Sequence, residues 1–112
     1  MMNYRKIIYV AHPFNNLKSN INKVEKILND IQEKYPDYLF LSPIHTFGWL
    51  YESIDYQKGL GRCFWLIDKA DEVWMFGDWE KSRGCLAEIE YCKQKDKLCV
   101  LHVAGDSEFY DE

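Results

Sequence analysis

The sequence predicts an α/β protein: a three-layer, Rossmann-like parallel sheet of about four strands with helices on both faces. Three observations predict it. Short apolar, β-branched segments alternate along the chain with longer segments of helical period. Three of the four strand segments read as continuous apolar runs, as strands do when helices cover both faces of a sheet. The resulting order of strand, helix, strand, helix, strand, helix, strand is that of a sheet wound by right-handed crossovers. At 112 residues the chain reads as one domain, residues 1–112, because typical domains hold ~100–150 residues.

Each element has its own reason. Lys6 to Ala11 (KIIYVA) is β-branched and aromatic, stops at His12-Pro13, and reads as a buried strand. Asn15 to Lys34 places Leu17, Ile21, Val24, Leu28 and Ile31 at spacings of four and three, the mark of an amphipathic helix, which Pro36 stops. Tyr38 to Leu41 forms a second strand, closed by Ser42-Pro43. Ile44 to Ser53 is aromatic-rich without clean period and reads as a loop or short helical excursion over one end of the sheet. Asp55 to Ala70 gathers Tyr56, Leu60, Cys63, Phe64 and Ile67 on one helical face, despite Gly59 and Gly61. Asp71 to Phe76 is a third strand, Ser82 to Gln94 a third helix, and Leu98 to Val103 a fourth strand. The acidic end, residues 105–112, reads as a loosely held tail.

Composition narrows the function. Hydrophobic residues make up 47% and charged residues 29%, ordinary globular values. Fourteen Lys and Arg against eighteen Asp and Glu give a net charge of -4, with no basic cluster for displacing counterions from duplex nucleic acid. No apolar run is long enough to span a membrane, and the first residues lack the pattern of a signal peptide. The four cysteines form no C-x-x-C pair and no zinc spacing, so reduced thiols in the cytoplasm are expected, with no metal and no cofactor. Aromatic residues, at 16%, supply apolar area and walls for stacking a flat ligand.

In folds of this class ligands settle outside the carboxyl ends of the strands. Those ends are His12-Pro13-Phe14, Ser42-Pro43-Ile44-His45, Gly77-Asp78-Trp79 and Ala104-Gly105. The densest signal is Gly77 to Tyr91, which passes from a strand directly into a helix. Ser82 suits the N-cap, and Gly84 would permit a close approach to the backbone; the exposed N–H groups of that turn suit a phosphate, or simply a capped helix. Glu88 falls between Cys85, Cys92 and Tyr91 on the helical wheel, at the border of the apolar arc, with Glu90 at the opposite border. Spacing alone does not choose between those two carboxylates. Tyr9, inside the first strand, is a core aromatic whose hydroxyl wants a partner. His12 and His45 sit at strand ends, where they serve either as loop residues or as ligand contacts, and His102 reads as structural. Asp78 could transfer a proton, grip sugar hydroxyls, or form a turn. Trp79, Trp49, Phe47 and Tyr51 could stack on a base or pack in a core or interface.

The segments IYVAHPF, ADEVWMFGD, SRGCLAEIEY and KLCVL, in that order over about 100 residues, resemble the nucleoside 2-deoxyribosyltransferase-like family. That group includes 2'-deoxynucleoside 5'-monophosphate N-glycosidases and many uncharacterised, often phage-encoded, proteins. The resemblance implies Glu88 as a nucleophile toward C1' of a nucleoside or nucleotide, Tyr9 beside that carboxylate and the sugar, and Ser82 with Gly84 at the 5'-phosphate. It implies a covalent glycosyl ester resolved by water or a second base. The family commonly carries an aspartate eight residues before Asp71, a position that is Cys63 here, and small residues where His12-Pro13-Phe14 stand. It further implies a homodimer or higher oligomer, consistent with the aromatic excess around Phe47 to Tyr51.

Three functions stay open on the sequence. One is an N-glycosidase or deoxyribosyltransferase acting through Glu88. Another is a protein that binds a nucleotide or nucleotide signal in the same crevice without cleaving it. The third is an interaction module whose aromatic loop is an interface, in which case Glu88 would face solvent.

Overall fold

A computed structural model describes residues 4–14, 17–48 and 55–101. Among them are four parallel strands, β1 (Lys6–Ala11), β2 (Tyr38–Leu41), β3 (Glu72–Met75) and β4 (Leu98–Leu101), in the order β2-β1-β3-β4. Four helices accompany them: α1 (Lys18–Lys34), α2 (Pro43–Phe47), α3 (Tyr56–Lys69) and α4 (Arg83–Gln94). The expected α/β class is the observed one.

Alternation along the strands sorts the core into two clusters. Val10 and Phe76 pack with Ile31 of α1, flanked by Phe40 and Trp74. Tyr9, Ala11, Val73 and Met75 point the other way, against Cys63 and Ile67 of α3 and Cys85 and Cys92 of α4. Helices therefore cover both faces. The chain moves from β1 to β2 over one face and from β2 to β3 to β4 over the other, as a right-handed crossover rule requires. The strand order reverses direction between β1 and β3, so the crevice at their carboxyl ends is the place where such a sheet accepts a ligand.

Local chemistry explains the boundaries. Asp55 caps α3 by accepting from Lys58 N at 2.9 Å, and Ser42 caps α2, which carries Pro43 in its first turn. The aromatic stretch after β2 thus begins as a short helix. Asp71 does not join β3; its carboxylate accepts Ile7 N at 2.7 Å while its own N–H donates to Ile7 O at 2.7 Å. The first helix begins at Lys18 with Leu17 as its N-cap residue, later than Asn15.

One expectation fails on burial. The apolar run of β4 predicts cover on both faces, yet β4 is an edge strand, with Leu98 60% and Leu101 48% exposed. An apolar run marks strand propensity but carries no record of position within the sheet. Expectations for Trp49, Tyr51, His102, residues 105–112 and the last two residues of the fourth strand lie outside the described residues.

Candidate active site

Helix α4 sets the site. The Ser82 side chain accepts Cys85 N at 3.2 Å, satisfying one free donor of the first turn. From there the helix runs back along the sheet and buries Cys85, Glu88 and Cys92 at spacings of three and four. An acidic residue therefore occupies the middle of a stripe otherwise made of thiols. Opposite it stands Tyr9, paired in register with Leu41 on one side and Val73 on the other, in the interior of the sheet. The Tyr9 hydroxyl donates to Oε2 of Glu88. Glu88 is 6% exposed and Tyr9 is fully buried, whereas Glu90 faces solvent. Tertiary packing thus chooses between the two carboxylates, and it buries Glu88 more deeply than a border position on the wheel suggests.

Burial governs the electrostatics. It pushes the Glu88 carboxyl up from 4.5 to about 7, and the Tyr9 hydroxyl, by favouring the ionised form, partly opposes that rise. Burial first, then the Glu88 charge and the nearby Cys63 thiol, raise the Tyr9 phenol well above its ordinary value. The phenol therefore stays a donor at neutral pH. Cys85 is pushed up to about 12 by burial and by Glu88, so it is a thiol and not a competing nucleophile.

At the carboxyl end of β1, His12 is buried and its Nδ1 donates to Pro13 O at 2.7 Å. That bond leaves the proton on Nδ1 and the lone pair on Nε2. Burial is the main cause that lowers its pKa; the bond to Pro13 O opposes it, Lys23 adds to the lowering, and Asp78 opposes it slightly. The ring lies against Gly77, whose φ is +72°; a Cβ there would come within 2.6 Å of His12 Nε2. Glycine is needed at this position both for the left-handed backbone and for the close approach. Asp78 precedes a short 3-10 turn, Trp79–Lys81, and stands exposed near His12.

The other expected contacts divide. Trp79 is half-buried against the core cluster beneath α3 and α4. A Cβ at Gly84 would meet open space, so none of the described residues crowds that position. His45 is held away from the Glu88–Tyr9 pair: its Nδ1 lies 2.8 Å from Ser42 Oγ and its Nε2 lies 3.4 Å from Glu25 Oε1, which ties α2 to α1. Sequence reasoning did not anticipate Cys63 beside the Tyr9 phenol, nor His12 against Gly77. The turn-forming Gly77-Asp78 pair was a signal for the second; nothing in the spacing gave the first.

Residues 6–101 match the model of a protein family described as a domain of unknown function, DUF4406. The chain belongs to the DUF4406 family. The match begins at the first residue of β1 and ends at the last of β4, so the DUF4406 region contains the whole described sheet together with Tyr9, His12, Gly77, Ser82 and Glu88. A search of curated proteins finds no match. Among the described residues no group of His, Cys, Asp and Glu is arranged to hold a metal ion, and no helix is long and apolar enough to cross a membrane.

Proposed function

We propose that this protein is an N-glycosidase or deoxyribosyltransferase that acts on a nucleoside or nucleoside 5'-monophosphate, with Glu88 as the nucleophile. One observation carries the reading: a carboxylate buried in the middle of α4 is retained in an apolar layer and held by the Tyr9 hydroxyl. Burying a carboxylate is costly, so a functional role is the economical reason for keeping one there. The likeness of the segments around Tyr9 and Glu88 to the nucleoside 2-deoxyribosyltransferase-like family supports the same reading.

In the first step Glu88 attacks C1' as the C1'–N bond breaks, and the electron pair leaves with the base. In the second, water or another base attacks C1' and returns the carboxylate. Tyr9 orients the nucleophile by its hydrogen bond. The neutral His12 offers Nε2 to a sugar or base donor, Asp78 stands beside it, and the open turn at Ser82 and Gly84 would receive a 5'-phosphate. Trp79 borders this turn; His45 acts at most through the position of α2.

The test is release of free base from a panel of ribo- and deoxynucleosides and their 5'-monophosphates, with Glu88→Gln as control. Release that depends on Glu88 supports the reading; no release from any member overturns it. The near-complete burial of Glu88 favours a second reading, in which the crevice holds a nucleotide without cleaving it. A ligand-induced rise in Tm without turnover would select that reading. We further propose self-association, with the 67% exposed Trp65 as a contact. Sedimentation giving a monomer at high protein concentration would exclude it.

A further inference from the structure

The surroundings of Glu88 point to a narrower class of substrate. The buried layer that holds Glu88 draws on four elements: the Tyr9 phenol of β1, which bonds the carboxylate, Cys63 of α3, Cys85 and Cys92 of α4, and Cys99 of β4, packed against the same cluster. A phenol and four thiols can be neutral or negative, never positive. Glu88 makes no ion pair among the described residues. The Lys97 ammonium donates to Ala70 O and Lys6 pairs with Glu72, so neither bonds the Glu88 carboxylate. Once ionised, the Glu88 carboxylate is therefore buried with one donor and no ion-pair partner among the described residues.

A buried carboxylate without a cation is expensive, and any positive charge brought next to it is bound strongly for that reason. A substrate cation would repair the deficit. It would also draw the carboxyl into its ionised, nucleophilic form on binding, by the same coulombic effect that an arginine would exert. We propose that the site takes N-glycosides whose base carries a permanent positive charge on the glycosidic nitrogen or elsewhere in its ring, such as pyridinium ribosides and ribotides. The inference rests on the glycosidase reading above and deepens it.

The chemistry balances without an acid. As the Glu88 oxygen forms its bond to C1', the C1'–N pair returns to the aromatic ring and cancels the positive charge, so the base leaves neutral and unprotonated. A neutral purine or pyrimidine, by contrast, leaves as an anion unless a proton is supplied. Water then attacks C1', the ester bond breaks, the carboxylate is restored, and one proton goes to solvent per turnover.

The test compares the full chain acting on nicotinamide mononucleotide, its reduced dihydropyridine form and neutral nucleoside 5'-monophosphates, with released base read by chromatography. The reduced form keeps the shape and loses the charge. We expect kcat/KM for the cation to exceed that for the reduced and neutral compounds by at least tenfold, and Glu88→Gln to abolish release while the far-UV spectrum is retained. Equal or faster cleavage of the neutral compounds would overturn the inference and leave the glycosidase reading standing. Absence of release from every compound would overturn both.

Discussion

At the scale of single residues, the decisive contact is Tyr9 to Glu88, and its hydroxyl is the handle for testing it. Tyr9→Phe removes the donor while keeping the ring. A buried carboxyl without its partner loses the one interaction that favours its charged form. The expected outcome is a loss of roughly 1–3 kcal/mol in stability and a rising limb of kcat/KM displaced above the value of about 7 set by Glu88. Urea unfolding and a pH–rate profile read the two effects separately, and an unmoved limb would dismiss Tyr9 as the partner that matters. Cys63 shows what a residue-level reading of the sequence misses. Its place on the apolar stripe of α3 was visible; that the stripe would set its thiol against a phenol depended on β1.

At the scale of elements, α4 carries most of the consequence. Three devices fix its position: the Ser82 cap, the stacking of Tyr91 on Phe64 at 4.1 Å, and the bond from Tyr91 OH to Asp68 at 2.7 Å. The last two clamp α4 to α3, so the roll that aims Glu88 at β1 is set by a neighbouring helix. Ser82→Ala frees an N–H in the first turn and should cost about 1 kcal/mol of stability. A calorimetric or urea comparison with the parent chain measures it, and a cost near zero would mean the cap contributes little to holding α4. The strand and helix segments were legible from period and punctuation, including Pro36, Ser42-Pro43 and Ser82. Helix and strand ends were less so, because caps and single ladder bonds decide them, as at Asp71 and Leu17.

At the scale of the whole molecule, the charge that would serve catalysis opposes stability. The folded protein holds the Glu88 proton up to about pH 7, while the unfolded chain releases it near 4.5. Between those values the folded state binds more protons, so stability falls as pH rises through that window and levels off above it. The span corresponds to roughly 3 kcal/mol, about 1.4 kcal/mol for each unit of pKa. The buried His12, held below its ordinary value, acts in the opposite sense as pH rises toward 6.5, so the Glu88 share is read by urea unfolding between pH 4.5 and 8 as a fall of the parent chain relative to Glu88→Gln. A parent chain that does not fall relative to Glu88→Gln across that range would mean that Glu88 is not desolvated as described. Activity should run the other way, rising with ionisation of the same group.

By itself, the sequence determined the α/β class, the alternation of elements and a shortlist of residues at the strand ends, because hydrophobic period and turn chemistry are local properties of the chain. Only the tertiary structure decided that Glu88 and not Glu90 is buried, that Tyr9 meets it across 79 positions of sequence, that His45 belongs to a different contact, and that β4 lies at an edge. The reason is physical. A helical wheel gives the angle between residues on one helix, whereas the direction in which that helix faces is set by what packs against it, and those partners lie far away along the chain.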